Sequence, residues 1–390
     1  MKRSLNTVLI FSGILLLNSC VERYWPDVGT KYEKLLVVDG MISNQPGPCF
    51  IQLSYSSLLR YDEVEPVQGC EVIISDNTGN LETLFEFEPG VYKTSNPDVQ
   101  GIVGRQYKLV IYTPDEKIYE SPFQELKEAV RIDTVYAHLE KRHSPETTYD
   151  LAGFQFYVSS EIAPEDTNYF FWKLEQTYEY NANYTANQMF DGQYHHVTYP
   201  AFNYTCWKTE SITKIFTYNT SRLSEARIQD LPLHYVTTET KELSKKYSVL
   251  VKQLTLSKEA YNYWNSLQEQ IEGQGSLYDK QPYQIRGNMV NVNDPNEAVL
   301  GYFFAAGSDE KRIFVDRPTG VHFHFSTTCG YVTEGLRNAL YQARSQWPVY
   351  LMRIYSEGGS PGALALPNNQ SCVDCRKSGG SVMKPAFWED

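Results

Sequence analysis

The sequence has no long apolar run past its first 20 residues, no excess of positive charge, no internal repeat and no heptad pattern. Each absence removes a class of protein. A membrane-crossing helix needs about 20 consecutive apolar residues, so a polytopic membrane protein is excluded. With 35 Lys+Arg against 47 Asp+Glu and a formal charge of −12, the chain lacks the basic stripe that phosphate neutralisation requires. Nucleic acid is therefore a poor partner. Without a repeat or heptads, solenoids and coiled coils fall away. What is present argues against disorder: 42% of residues are hydrophobic and 14% aromatic, among them 30 Tyr. At 390 residues the chain accommodates two domains or one large β domain.

The single apolar run is Val8–Leu17, preceded by Lys2 and Arg3. It has the proportions of a signal peptide. Leu17-Asn18-Ser19-Cys20 closes it and resembles a bacterial lipobox, with an aliphatic residue at −3, a small residue at −1 and then Cys. The resemblance implies cleavage after residue 19 and lipidation of Cys20. Several acyl chains together hold a protein to a bilayer where one is marginal. Removing residues 1–19 leaves 33 basic and 47 acidic residues, a charge of −14, so lipid rather than a basic patch would provide the anchor.

Residues 20–33 read as a tether. From residue 34 to 125, strand-like runs alternate with turn signals. The runs are Leu35–Ile42, Cys49–Ser54, Cys70–Ser75, Leu81–Phe87, Gln106–Tyr112 and Lys117–Glu120. Turns are marked by Asn44–Gly47, Asp76–Gly79, Pro89-Gly90 and Pro114-Asp115. This spacing predicts an immunoglobulin-like β-sandwich. A larger β-rich domain is expected over residues 130–390. Its strands are read at Val130–Tyr136, Phe154–Val158, Tyr169–Tyr180, Tyr247–Leu256, Val299–Ala305, Arg312–Val315, Val321–Phe325 and Pro348–Tyr355. A helix is predicted at Lys258–Glu272, with Ala260, Trp264, Leu267 and Ile271 on one face, Ser257 as N-cap and Gly273 past its end. A shorter helix is read near Gly335–Arg344. The fold class is mainly β.

Three motifs invite chemistry. Gly358-Gly359-Ser360-Pro361-Gly362 matches the nucleophile elbow in spelling, but Pro361 has no N–H to offer an oxyanion, and the segment to Gln370 reads as a loop. No catalytic residue is assigned. His322 and His324, two apart, begin a metal site only if His195, His196 or a Cys joins them; alternation of a polar strand face explains them without metal. Neither a metal nor a cofactor is expected. With Cys20 set aside, Cys49, Cys70, Cys206, Cys329, Cys372 and Cys375 make an even set, which in an exported protein favours disulfides. Cys49 and Cys70 each open a strand and are candidates to pair. Cys372-Val373-Asp374-Cys375 is open to closing on itself, to metal or to redox exchange, although no second C-x-x-C completes a zinc ribbon.

The stretch 178–204 concentrates Tyr178, Tyr180, Tyr184, Tyr194, Tyr199 and Tyr204. Tyr joins a flat apolar face to a hydroxyl, which suits recognition of glycan or protein. The alternative is a long hairpin insertion whose tyrosines pack on its own strands.

Leu36–Ile42, Gln68–Val72, Pro89–Tyr92, Tyr261–Gln270, Gly275–Tyr278, Gly287-Asn288, Leu300–Phe303 and the end from Cys372 to Trp388 together resemble a family of Bacteroidota outer-membrane lipoproteins. That family is defined by a domain of unknown function, and its members are often encoded beside TonB-dependent transporters. The resemblance implies a surface-exposed, lipid-anchored, non-enzymatic protein whose partner is such a transporter or its cargo. A free-standing adhesin or glycan-binding lipoprotein is the second expectation.

Overall fold

The computed structural model describes residues 34–389 apart from 58–63, 97, 145–146, 163–167, 199–200, 222–226, 274–283, 326–328 and 356–360. The signal-like segment, Cys20 and the tether lie outside the described residues, as do Tyr199 and Ser360. The first part carries β1 (Leu36–Ser43), β2 (Phe50–Tyr55), β3 (Glu65–Pro66), β4 (Glu71–Asp76), β5 (Leu81–Glu88), β6 (Val91–Thr94), β7 (Gln106–Tyr112), β8 (Ile118–Glu120) and β9 (Gln124–Glu125). Next come β10 (Thr134–Arg142), β11 (Leu151–Glu161), β12 (Tyr169–Asn181), β13 (Gln188–Phe190), β14 (Tyr194–His196), β15 (Thr205–Asn219), β16 (Arg227–Thr237) and β17 (Lys246–Leu256). Helix α1 (Lys258–Glu272) precedes β18 (Val290–Asn291), β19 (Leu300–Asp316) and β20 (Tyr331–Val332); helix α2 (Leu336–Gln342) precedes β21 (Val349–Tyr355) and β22 (Pro361–Pro367). The protein is mainly β, as its composition and alternation require.

Alternation sets the faces. In β1, Leu36, Val38, Gly40 and Ile42 are buried and Val37, Asp39 and Met41 between them are not, so one face turns to the core. The largest sheet runs β15-β12-β17-β19-β1-β2-β6-β5-β4-β7-β8-β18. The half from β1 to β8 wraps a core that includes Val38, Ile51, Leu53, Val72, Leu109, Ile111 and, from β19, Phe303.

β19 joins the two halves. Val299–Ala305 and Arg312–Val315, read as two strands, are one 17-residue strand. Residues 300–306 pair in parallel with β1, and 307–316 pair antiparallel with β17. At the entry, Gly301 has φ +79°, and a Cβ there would collide with the Val38 carbonyl. At the handover, a Cβ on Gly307 would strike the backbone of Lys127 and Ala129, the segment that leads from the first strands to the rest. Both positions therefore require glycine. The boundary expected between residues 125 and 130 falls inside one compact unit, Leu36–Asp390.

The sheet β10-β11-β16 lies over β15-β12-β17, and Phe156, Val158, Phe170, Trp172, Tyr247 and Val249 fill the space between, so this part is a two-layer sandwich. Gln253, fully buried, ties the layers: its Oε1 accepts from Trp172 Nε1 (3.0 Å) and Ser160 Oγ (2.9 Å), and its Nε2 donates to the Val130 carbonyl (2.8 Å).

Helix α1 starts after Ser257, whose side chain accepts from Ala260 N, and ends at Gly273, as predicted. Its buried face is narrower than the apolar spacing suggested. Ala260 and Tyr261 are buried and Trp264 stacks on Phe171 at 4.6 Å, but Ile271 is 57% exposed. The polar side of the helix explains the difference. Gln268 Oε1 accepts from the backbone N–H of Thr217 on β15 (2.8 Å), and Asn219 Nδ2 donates to Tyr261 Oη (2.7 Å). Part of an otherwise open edge is thereby satisfied by side chains.

Two local expectations are corrected. Val321–Phe325 is not a strand: His324 N and the His322 carbonyl bond to Thr238 instead of to a ladder, and the His324 ring stacks on Tyr149 at 3.6 Å. The segment after Ser360 is not a loop, since Pro361–Pro367 is β22, pairing with β21 and β20. Its prolines stand at the strand ends, where a missing donor costs least.

His234 on β16 gives a pH prediction. Burial, aided by the Lys214 charge, pushes its pKa down from 6.5 to about 4. The folded protein holds this imidazole neutral while the unfolded chain protonates it. Its stability contribution is complete above about pH 6.5 and is lost as pH falls towards 4. Urea unfolding of wild type at pH 4.5 and 7 should differ by roughly 2 kcal/mol more than in His234→Gln. Equal pH sensitivity in the two proteins would refute this.

Candidate functional site

The chain leaves the sandwich at Asn181 and re-enters it at Thr205, and the insertion between carries the tyrosine-rich stretch. Its hairpin, β13 and β14, does not stand alone. β13 pairs with β21, building the sheet β14-β13-β21-β22-β20 from two distant pieces of chain. Backbone bonds run from Tyr184 N to the Cys372 carbonyl (2.8 Å) and from Asn187 N to the Leu351 carbonyl (2.8 Å). Arg353 N donates to Asn187 Oδ1 at 2.7 Å.

Two disulfides hold this module. Cys206, at the start of β15, bonds Cys375, and Cys329, before β20, bonds Cys372. The C-x-x-C therefore does not close on itself. Its cysteines sit on two successive 3-10 turns, 370–372 and 375–378, and each reaches a different element. Between them Asp374 is fully buried and accepts from Arg376 N and Nε (3.1 and 2.9 Å).

Cys49 and Cys70 remain free thiols, against expectation. They open β2 and β4, with β6 and β5 between, a separation of about 14 Å at ordinary strand spacing. A disulfide requires Cα atoms within about 7 Å. The Cys49 thiol donates to the Met41 carbonyl (3.0 Å), and burial, then the Glu82 charge, pushes it up to about 12. It is an inert core group at neutral pH.

The tyrosines divide. Tyr178 and Tyr180 are buried in β12, and Tyr180 Oη donates to the Cys375 carbonyl at 2.6 Å, so neither is a binding residue. Alternation on a strand covered on both faces buries them. Tyr184 and Tyr204 are half-buried against a core that the insertion shares with β21, β22 and Val373. Tyr194 alone of the described five is exposed, at 50%. It belongs to a group that the sequence reading missed. Buried Phe190 carries Tyr194 at 4.8 Å, Trp347 at 5.1 Å and Tyr341 at 6.3 Å, with Tyr341 itself 51% exposed. His195 Nε2 and Asp191 Oδ1, 2.9 Å apart, border it, and that contact with the Gln193 N–H lowers the Asp191 pKa. No spacing rule links residues 190–194 to 341–347; the β13–β21 pairing does.

His322 and His324 have ring centroids 4.6 Å apart, while His195 is engaged with Asp191. Among the described residues no three His, Cys, Asp or Glu side chains gather as a metal site.

The end of the chain closes over β19: the Arg312 guanidinium lies 3.6 Å from the Phe387 ring centroid, and Trp388 meets Phe314 edge-on at 5.4 Å. These features define a class: a mainly β protein with a sandwich at its centre and a disulfide-held module that presents an aromatic surface. Residues 21–312 match the family model of a domain of unknown function (DUF4249), and the chain belongs to that family. The match ends within β19, short of β20 to β22 and of Cys329, Cys372 and Cys375. No curated protein matches the sequence.

Proposed function

We propose that the chain is a lipid-anchored, non-enzymatic outer-membrane accessory protein that binds a TonB-dependent transporter or its cargo. The observation that carries this reading is Leu17-Asn18-Ser19-Cys20 directly after a short, positively preceded apolar run. The family resemblance of the mature chain supplies the partner class. The exposed aromatic surface of the insertion supports a binding role, because large rings with polar edges dominate interface energetics. Cell-surface exposure belongs to the same proposal.

The test is growth with an alkyne palmitate analogue, followed by mild detergent extraction and pull-down of the full-length protein. Label on wild type but not on Cys20→Ala, and co-recovery of a β-barrel transporter, are expected. Tyr194→Ser combined with Tyr341→Ser should lower co-recovery at least tenfold, the loss of about 1.4 kcal/mol or more from a central aromatic pair. Lipoprotein recovered without any barrel protein would overturn the proposal. A glycan-binding role is the second reading, favoured by the exposed Tyr194 and Tyr341 rings beside Asp191 and His195. Retention on a glycan array without transporter co-recovery would decide for it.

A further inference from the structure

A groove of about 1030 Å³ opens where residues 122–131, the end of β17, the start of α1 and β19 meet, far in the chain from the insertion. Its volume matches the upper range of small-ligand sites. Two nearly buried polar side chains line it with unused capacity. Gln124 is 6% exposed; its Nε2 donates to the Phe123 carbonyl (3.3 Å), but its Oε1 has no partner among the described residues. Tyr302 is 7% exposed with its ring against Tyr263 (4.7 Å), and its hydroxyl makes no hydrogen bond with any described residue. Burial and the nearby Glu259 charge push that phenol up to about 12, so it stays a donor at neutral pH. A buried polar atom left without a partner costs about 1–3 kcal/mol, so Gln124 Oε1 calls for an occupant, and the Tyr302 hydroxyl beside it is open to bond the same one.

The rim specifies what kind. At the first turn of α1, Ser257 satisfies Ala260 N, whereas the N–H groups of Lys258 and Glu259 have no acceptor among the described residues. The lining side chains of Arg131 and Lys258, and of Glu128, Glu161 and Glu259, form no ion pair among the described residues. The site thus asks for N–H donors, carbonyl acceptors and charges of both signs. These five side chains are solvent-exposed, so they select by complementarity: a polyphosphate meets three carboxylates, and a neutral glycan leaves the charges of both signs unmatched. A peptide with free ends supplies every group.

We propose that this groove binds a short peptide with free termini. Its carboxylate sits at the first turn of α1 beside Lys258, where the helix dipole and free N–H groups favour an anion. Its backbone N–H and C=O groups engage Gln124 Oε1 and the Tyr302 hydroxyl, and its ammonium faces the acidic wall. This proposal is independent of the transporter reading.

The test is equilibrium dialysis of purified full-length protein in detergent against a library of free-ended tetrapeptides, read by mass spectrometry. The same library N-acetylated and C-amidated, and triacetylchitotriose, run in parallel. Wild type should enrich free-ended peptides and neither control. Tyr302→Phe and Gln124→Leu should each weaken retention roughly fivefold, the equivalent of one hydrogen bond. Lys258→Gln, a change at an exposed side chain, should weaken it without touching the fold. Equal retention by all three variants, equal retention of blocked peptides, preference for triacetylchitotriose or no enrichment by wild type would each overturn the proposal.

Discussion

Replacing Cys206 and Cys375 together by alanine will lower the stability of the oxidised protein by about 5 kcal/mol. The two residues are 169 positions apart, so their bond closes a very long loop in the unfolded chain. Loop entropy grows with the logarithm of that length, and at this span it reaches the upper end of what a disulfide contributes. Both sulfurs are fully buried, so the pair is also part of the packed core. Its loss frees the segment that carries the Cys375 carbonyl, the acceptor for Tyr180, and the paired bonds between Trp207 and Ser381. Changing both cysteines leaves no odd thiol to react elsewhere. The Cys329–Cys372 bond lies within the same loop and shortens it, so removing both bridges should cost slightly more than the sum of the two single removals. Urea unfolding followed by tryptophan fluorescence measures the difference, and dithiothreitol, which also opens Cys329–Cys372, should bring wild type and variant down to a similar, lower stability. A double variant as stable as oxidised wild type would show that the bridge does not hold the module.

Asp76→Ala will destabilise the first sheet by roughly 3–5 kcal/mol, the range for breaking a buried charged network. Asp76 sits at the end of β4 with its side chain 4% exposed. Its Oδ1 accepts from Thr78 N and Oγ1 and from Asn80 N, and its Oδ2 from Asn80 Nδ2 and the Arg105 guanidinium at 2.7 Å. Alanine leaves these donors and one cation without an acceptor. Burial opposes the ionised form of Asp76, but the hydrogen bonds from Asn80 and Thr78 outweigh it and hold the carboxyl well below its usual 3.8. The sign follows: the unfolded chain takes up this proton first, so the contribution is complete above about pH 4 and decays on further acidification. Asp76→Asn keeps the shape and one acceptor, so it should cost less and remove that acid dependence. An alanine variant within 1 kcal/mol of wild type in urea at pH 7 would contradict the assignment.

The same turn shows what was legible. Asp76-Asn77-Thr78-Gly79 announces itself because Asx side chains and a glycine at φ +93° are local chemistry. That Arg105, 29 positions on, would complete the carboxylate's shell is not local. Helix α1 was readable from its cap, its period and its terminal glycine, all within one segment. Its role in covering β15 was not, because Gln268 meets Thr217, and Tyr261 meets Asn219, only in the folded chain. The long strands β12 and β17 were visible as aromatic and β-branched runs, whereas β15 and β16 were missed: both are mostly polar or half-exposed and lack that signal.

The cysteines mark the division most clearly. Their even number and the apolar leader argue for disulfides, and two are present. Which residues pair depends on what lies between strands: β5 and β6 keep Cys49 from Cys70, while β15 meets the C-terminal turns. The tyrosines divide the same way, since burial depends on what covers a strand's second face, and the opposing sheet comes from elsewhere in the chain. By itself the sequence determined composition class, the mainly β character, most turns, the helix and the family, all carried by short-range patterns. Only the tertiary structure decided the joining of two sheets by β19, the cysteine partners, the aromatic surface and the groove, because each depends on residues brought together from distant parts of the chain, 43 positions apart for Cys329–Cys372 and more than 100 for the rest.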